Sequence, residues 1–134
     1  MQKPEKQVTL YACPKTVKEG CAVAQYTNHF DADFDRLLRY IEESVLKGSI
    51  SATKEGGSDF SCGDARCATR VYERYSWIGN NRLSLCVTLF GRNGDIWVSA
   101  ITSGGSQALF FKINTWGEEA FLDKFIQQIE NYRE

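Results

Sequence analysis

The residue types best suited to binding chemistry fall between Arg70 and Ser106. The Ser103-Gly104-Gly105-Ser106 loop could bind an anion. Its glycines let backbone N–H groups converge, and a helical turn starting at Ser106 would add the positive end of its dipole. The run lacks the lysine of a P-loop and the G-x-G-x-x-G of a dinucleotide turn. The plainer reading is a tight connection leaving a sheet, where glycine lets the backbone bend. Arg70, Tyr72 and Arg74 alternate along one strand, a row of guanidinium and phenol groups able to hold carboxylates, phosphates or aromatic rings. A solubilising strand surface with cross-strand partners explains the same row more simply. Trp97 beside Phe90 adds aromatic surface of the kind that contacts proteins, with core packing as the alternative.

A known catalytic constellation finds little support. His29 is the only histidine, and a Cys–His pair would need it beside Cys62, Cys67 or another thiol without any local signature. The acid pairs Asp31/Asp33 and Glu118/Glu119 sit at helix starts, where capping accounts for them. The cysteines, at 13, 21, 62, 67 and 86, are odd in number and irregularly spaced. Zinc favours closer pairs and further ligands, so no metal and no cofactor is expected. The thiols read as reduced, Cys86 as a buried strand residue, and Cys62 and Cys67 as able to meet across a turn.

Sixteen basic and seventeen acidic side chains leave a formal charge of -1, which gives no bulk attraction to nucleic acid or anionic membrane. Apolar residues make up 43% and charged ones 25%, the balance of a water-soluble fold. No run approaches the ~18 apolar residues of a membrane span. Met1 to Gln7 is polar and leads into no signal-peptide core, so a cytoplasmic protein is expected.

The elements that position these groups follow from periodicity. Residues 1–30 are weakly patterned, with short strands suggested at Val8–Ala12 and Cys21–Asn28; residues 1–21 read as an N-terminal extension and 22–134 as one domain. Phe34, Leu37, Leu38, Ile41, Val45 and Leu46 recur at helical steps, with Asp31 or Asp33 as cap and Gly48 as stop. Asp35, Arg39, Glu43 and Lys47 form a solvated ladder on the far side. The period then falls to two. Ser49–Lys54 reads as a short strand, Glu55–Asp59 with Gly56-Gly57 as a turn, and Ala68–Trp77 as a longer strand. A loop at Ile78–Arg82 leads to a strand carrying Leu83, Leu85, Val87 and Leu89 on one side. Asn93-Gly94 marks a tight hairpin before Ile96–Thr102. Gln107–Ile113 fits a strand end or a helical turn. Thr115 to Glu118 has capping-box form, and Phe121, Leu122, Phe125, Ile126, Ile129 and Tyr132 line a last helix.

Two amphipathic helices and one sheet, each with a single apolar face, must pack as two layers. The expected fold is α+β, an antiparallel sheet with both helices on one face. Its β-α-β4-α order is similar to that of TATA-binding-protein-like domains, with a reduced helix-grip fold as the alternative. If the helices cover Val71, Tyr75 and Trp77, then Arg70, Tyr72 and Arg74 lie on the open side. Placed the other way up, the sheet makes Glu73 the residue that needs a partner, such as Arg66 or Arg82.

Four segments carry a family resemblance: Arg70 to Trp77 (RVYERYSW), Val87 to Gly91 (VTLFG), Ser99 to Ala108 (SAITSGGSQA) and Lys112 to Glu119 (KINTWGEE). They resemble a family of small bacterial proteins known only as a domain of unknown function, over about residues 22–132. The resemblance implies no assigned activity and no catalytic residues to carry over. With the residue reading, it leads to the expectation of a non-enzymatic binding or protein-interaction module, self-associating through the open sheet face or an edge strand. The alternative is a small-molecule domain with a pocket between sheet and helices, lined by Tyr75, Trp77 and Phe110.

Overall fold

In the computed structural model, residues 24–48, 51–76, 81–104 and 118–133 are described. Val8–Ala12, Trp77, Gly105, Ser106, Phe110 and the capping box at Thr115 lie outside them. The order is β1 (Ala24–Asp31), α1 (Phe34–Gly48), β2 (Thr53–Cys62), β3 (Ala65–Ser76), β4 (Asn81–Arg92), β5 (Asp95–Gly104) and α2 (Glu118–Glu130). The five strands form one antiparallel sheet in the order β1-β5-β4-β3-β2. This is the α+β, β-α-β4-α arrangement that the periodicities imply.

Helix α1 starts where Asp33 takes up free donors. Its Oδ1 accepts from the Arg36 N–H at 2.9 Å, and its carbonyl accepts from the Leu37 N–H at 3.0 Å, the side-chain bond of an N-cap. The helix buries Leu37, Leu38, Ile41 and Val45. Leu46, assigned to the same stripe, is instead exposed, because the sheet-facing arc ends at Val45. Helix α2 buries Phe121, Leu122, Phe125 and Ile129. Both helices share one core with Leu83, Leu85, Val87 and Leu89 of β4 and Ile96, Val98 and Ala100 of β5. The Tyr40 hydroxyl ties them together by donating to the Gln128 carbonyl at 2.5 Å, and the Lys124 ammonium caps the α1 terminus at the Gly48 carbonyl.

The β4–β5 hairpin turns at Asn93-Gly94, both at positive φ (52° and 83°), as a two-residue turn requires. The β2–β3 hairpin corrects the expected turn. Gly56-Gly57 lies within a continuous strand, with a register shift between Lys54 and Gly56, and the chain reverses at Gly63-Asp64 instead. At Gly57 a Cβ would stand 2.9 Å from the Thr69 carbonyl oxygen and 3.0 Å from the Arg70 Cδ. Glycine there serves close strand approach and a bulge rather than a reversal.

The face assignment of β3 is also corrected. Tyr72 pairs with Leu85, Arg70 with Val87 and Arg74 with Leu83. Directly opposed residues share a face, so the β4 leucines carry these three residues under the helices. Tyr72 is fully buried and Arg70 is 8% exposed. Val71, Glu73 and Tyr75 face outward, and Glu73 takes Arg82 as its partner at 3.4 Å. Among the described residues no helix is long and apolar enough to cross a membrane.

The corrected stripe gives a direct test. Leu37→Ala should lower unfolding free energy by about 2–5 kcal/mol in urea titrations. Leu46→Ala should stay within about 0.5 kcal/mol of the parent.

Candidate functional site

Strand β3 carries Arg66, Arg70 and Arg74 on its helix-facing side, and each guanidinium finds a partner there. Arg66 makes a paired contact with the Asp35 carboxylate of α1, at 3.1 and 3.0 Å, with its plane 4.2 Å from the Phe34 ring centroid. Arg70 donates through Nε to Glu42 of α1 at 2.7 Å and through Nη2 to Asp59 of β2 at 3.0 Å. Its Nη1 reaches the Thr69 and Ser58 carbonyls at 3.0 and 3.4 Å. Lys54 gives Glu42 a second cation at 2.8 Å. Arg74 lies over the Phe121 ring of α2, 5.1 Å from its centroid.

Burial sets the charge states of this row. For Glu42, burial pushes the pKa up, but hydrogen bonds from Lys54 and Arg70 outweigh it and hold the carboxyl below its ordinary value. For Arg70, burial pulls down and its bonds to Asp59 and Glu42 more than restore the cation. Burial lowers Arg74. The Arg66 bond holds the Asp35 carboxyl below its usual range. Burial raises the Tyr72 phenol strongly, with the Glu42 charge adding to it. Its hydroxyl has no hydrogen-bond partner among the described residues. Beside this cluster a shallow notch of about 270 Å³ is lined by Lys54, Glu55, Gly56, Gly57, Asp59 and Arg70. Its cations are already matched to carboxylates.

The open face has a different character, and the strand registers organise it into rows. One row runs Phe60, Cys67, Phe90, Trp97 and His29 across all five strands. The next carries only hydroxyls: Ser58, Thr69, Thr88, Ser99 and Thr27. A third runs Gly56, Val71, Cys86, Ile101 and Gln25. Phe60, Phe90 and Trp97 are 68%, 48% and 54% exposed. The His29 ring leans on Trp97 with centroids 4.6 Å apart, and its Nε2 lies 3.2 Å from Asp95 Oδ1. Period-two alternation puts His29 on this face although the strand that carries it was only weakly legible.

The candidate residues therefore divide. Trp97 is on the open face with Phe90, whereas Arg70, Tyr72 and Arg74 belong to the sheet–helix contact. Ser103 is exposed and Gly104, at φ 111°, ends β5. A Cβ on Gly104 would meet the Arg82 carbonyl oxygen at 2.6 Å, so close strand approach explains that glycine. Cys62, Cys67 and Cys86 are free thiols. Cys86 is half-buried on the open face rather than in the core, because its strand neighbours Leu85 and Val87 take the inner side. Three strand spacings, ~14 Å, separate Cys67 from His29, so the structure does not bring them together. Glu42 and Asp59, the carboxylates that hold Arg70, were missed. An acid on the Ile41 side of α1 opposite a strand arginine was the available signal.

Comparison with known proteins places the chain in a family. The family of unknown function DUF6054 matches residues 23–133, and the chain belongs to it. No curated protein matches. Among solved structures the fold is similar to LpqN of Mycobacterium tuberculosis, described as involved in cell envelope biogenesis, at 12% identity and a TM-score of 0.44. That match covers 85% of this chain and 64% of LpqN, so the chain spans a little under two thirds of the LpqN length. A protein from Thermus thermophilus matches at 7% identity and TM-score 0.39, over 81% of this chain and 94% of that one. Norcoclaurine synthase from Thalictrum flavum, in complex with dopamine and hydroxybenzaldehyde, matches at 11% and 0.33, over 87% and 91%.

Two measurements probe the buried row. Glu42 ionises more readily folded than unfolded, so its contribution is complete above the ordinary value of 4.5 and is lost as pH falls through the lower folded value. Wild type should therefore exceed Glu42→Gln by about 1.5–3 kcal/mol at neutral pH, with the gap closing below pH 4.5 in urea melts. Tyr72→Phe keeps the packing and removes an unpartnered hydroxyl. Its melting temperature should equal or exceed that of wild type, consistent with the ~1–3 kcal/mol cost of such a group.

Proposed function

We propose that this protein is a non-enzymatic protein-interaction module whose contact surface is the open face of the sheet. The observation that supports it best is the exposed aromatic row of Phe60, Phe90 and Trp97, with Ile101 two rows away beyond the hydroxyls. Five strands at their usual spacing and about ten residues of length give a face of ~800 Å². That is one side of a standard protein interface. Aromatic residues flanked by hydrogen-bonding hydroxyls suit a partner protein carrying an apolar stripe with polar borders. On the rim the Arg82 cation is matched to Glu73 and the His29 ring nitrogen lies beside Asp95, which gives a polyanion little foothold. A cytoplasmic setting suits the free thiols of this face.

A small-molecule pocket between sheet and helices has less support. The opening between α1 and α2, lined by Val45, Gly48, Phe121, Lys124, Phe125 and Gln128, has a volume of about 10 Å³. That is at the lower limit for one water. Tyr75, expected to line such a pocket, faces outward.

A photo-crosslinking residue at position 90 tests the reading, with Arg39 on the solvent side of α1 as control. One defined protein adduct at position 90 and none at 39 is expected. Titration of the recovered partner should then show Trp97→Lys weakening binding ~30-fold, about 2 kcal/mol. Equal labelling from both positions, or affinity indifferent to Trp97→Lys, would count against the reading.

A further inference from the structure

Strand β2 is unusual within this sheet. It is an edge strand, every residue of it is exposed, and its helix-side face lies outside the core. Such an edge offers unpaired N–H and C=O groups. Arg70 Nη1 reaches the carbonyls of the opposed residues Ser58 and Thr69 at 3.4 and 3.0 Å, which places both between β2 and β3. Alternation then turns the peptide groups of Gly57, Asp59 and Ser61 toward the free edge.

We propose that β2 is the seam of a symmetric dimer, in which two copies of this chain pair their β2 edges antiparallel about a two-fold axis at Ser58. Only alignments that oppose residues of like face keep both helical layers on one side. Centring on Asp59 would set two carboxylates directly opposite each other, which is repulsive. Centring on Gly57 would drive Phe60 against the bulge at Lys54/Gly56. Centring on Ser58 places Phe60 over Gly56 of the second copy. Nothing lies within 4 Å of a Cβ built on Gly56, so an aromatic ring can cover that bare backbone. The same alignment sets Asp59 opposite the second copy's Gly57, beside the Arg70 that reaches across that glycine.

The open-face rows then match by type across the seam. The hydroxyl row ending at Ser58 continues into its own copy. The aromatic row ending at Phe60 continues into the Gly56, Val71, Cys86 and Ile101 row of the second copy. The pairing covers residues 56–60 and stops at the bulge. It rests on the edge and its register, independently of any partner on the open face.

The test uses the full chain in sedimentation velocity over a concentration series into the high-micromolar range. Wild type should approach twice the 15.2 kDa chain mass, and Phe60→Lys, with unchanged circular dichroism, should remain at the single-chain mass. Ser58→Cys should form an interchain disulfide under mild oxidation, since opposed Cα atoms at a non-hydrogen-bonded pair lie about 4.5 Å apart, within disulfide reach. Ser61→Cys should show no more cross-linking than wild type. A wild-type monomer throughout the series overturns the proposal. So does a dimer that survives Phe60→Lys without cross-linking through Ser58→Cys. A dimer lost in Trp97→Lys but intact in Phe60→Lys assigns association to the open face and rejects the seam.

Discussion

Every later feature of this molecule depends on the register between β3 and β4. Side chains alternate with a period of two, so a slip of one residue would move a whole strand's side chains to the other face. Leu83, Leu85, Val87 and Leu89 form the longest apolar file in the sheet, and they must face the helices. Their pairing with Arg74, Tyr72 and Arg70 then leaves those polar groups no choice of side. The same register sends Cys67, Thr69, Val71 and Glu73 to the open face, where they join the rows that cross to β5 and β1.

Placing arginines beneath helices is costly unless each is met by an acceptor or a ring. Helix α1 supplies Asp35 and Glu42, seven residues apart and so two turns along one side, to Arg66 and Arg70, four residues apart on the strand. That spacing match orients α1 along β3. The hydrophobic stripe alone does not, since apolar contact is non-directional. Phe121 of α2 receives Arg74 in the same way. The arginine row thus serves as a positioning device, and the Tyr72 hydroxyl is its one unmatched polar atom among the described residues.

The opposite side of the sheet is organised differently. Two layers are enough to bury one face, and the other meets solvent with large aromatics among hydroxyls. Edge strand β2 lies beyond the helices and carries a bulge, two glycines and inward-pointing charges, devices that discourage indiscriminate pairing. The residues from Gly56 to Phe60, past the bulge, lie in the stretch of this edge that keeps a regular register. The open face and this edge are the surfaces on which an interaction role has room to act, while among the described residues the opening between α1 and α2 is only about 10 Å³.

Local pattern alone determined the element order, both helices, the Asn93-Gly94 hairpin and the shared core of Leu37, Ile41, Phe125 and Ile129, because each follows from short-range periodicity or turn chemistry. The resemblance to an uncharacterised family agrees with the family match over residues 23–133. It did not settle which side of β3 faces the helices. Val71, Tyr75 and Trp77 make the more apolar set by composition, yet the partner strand decides, and it puts Tyr72 and two arginines inside. Nor could local pattern separate a reversal at Gly56-Gly57 from a bulge, because glycine permits both and only the presence of Thr69 and Arg70 across the pair decides. His29, Phe60 and Trp97 are far apart in the chain and come into one row only through the successive strand pairings. Cross-strand neighbours are products of register, a tertiary property, and local periodicity carries no information about them.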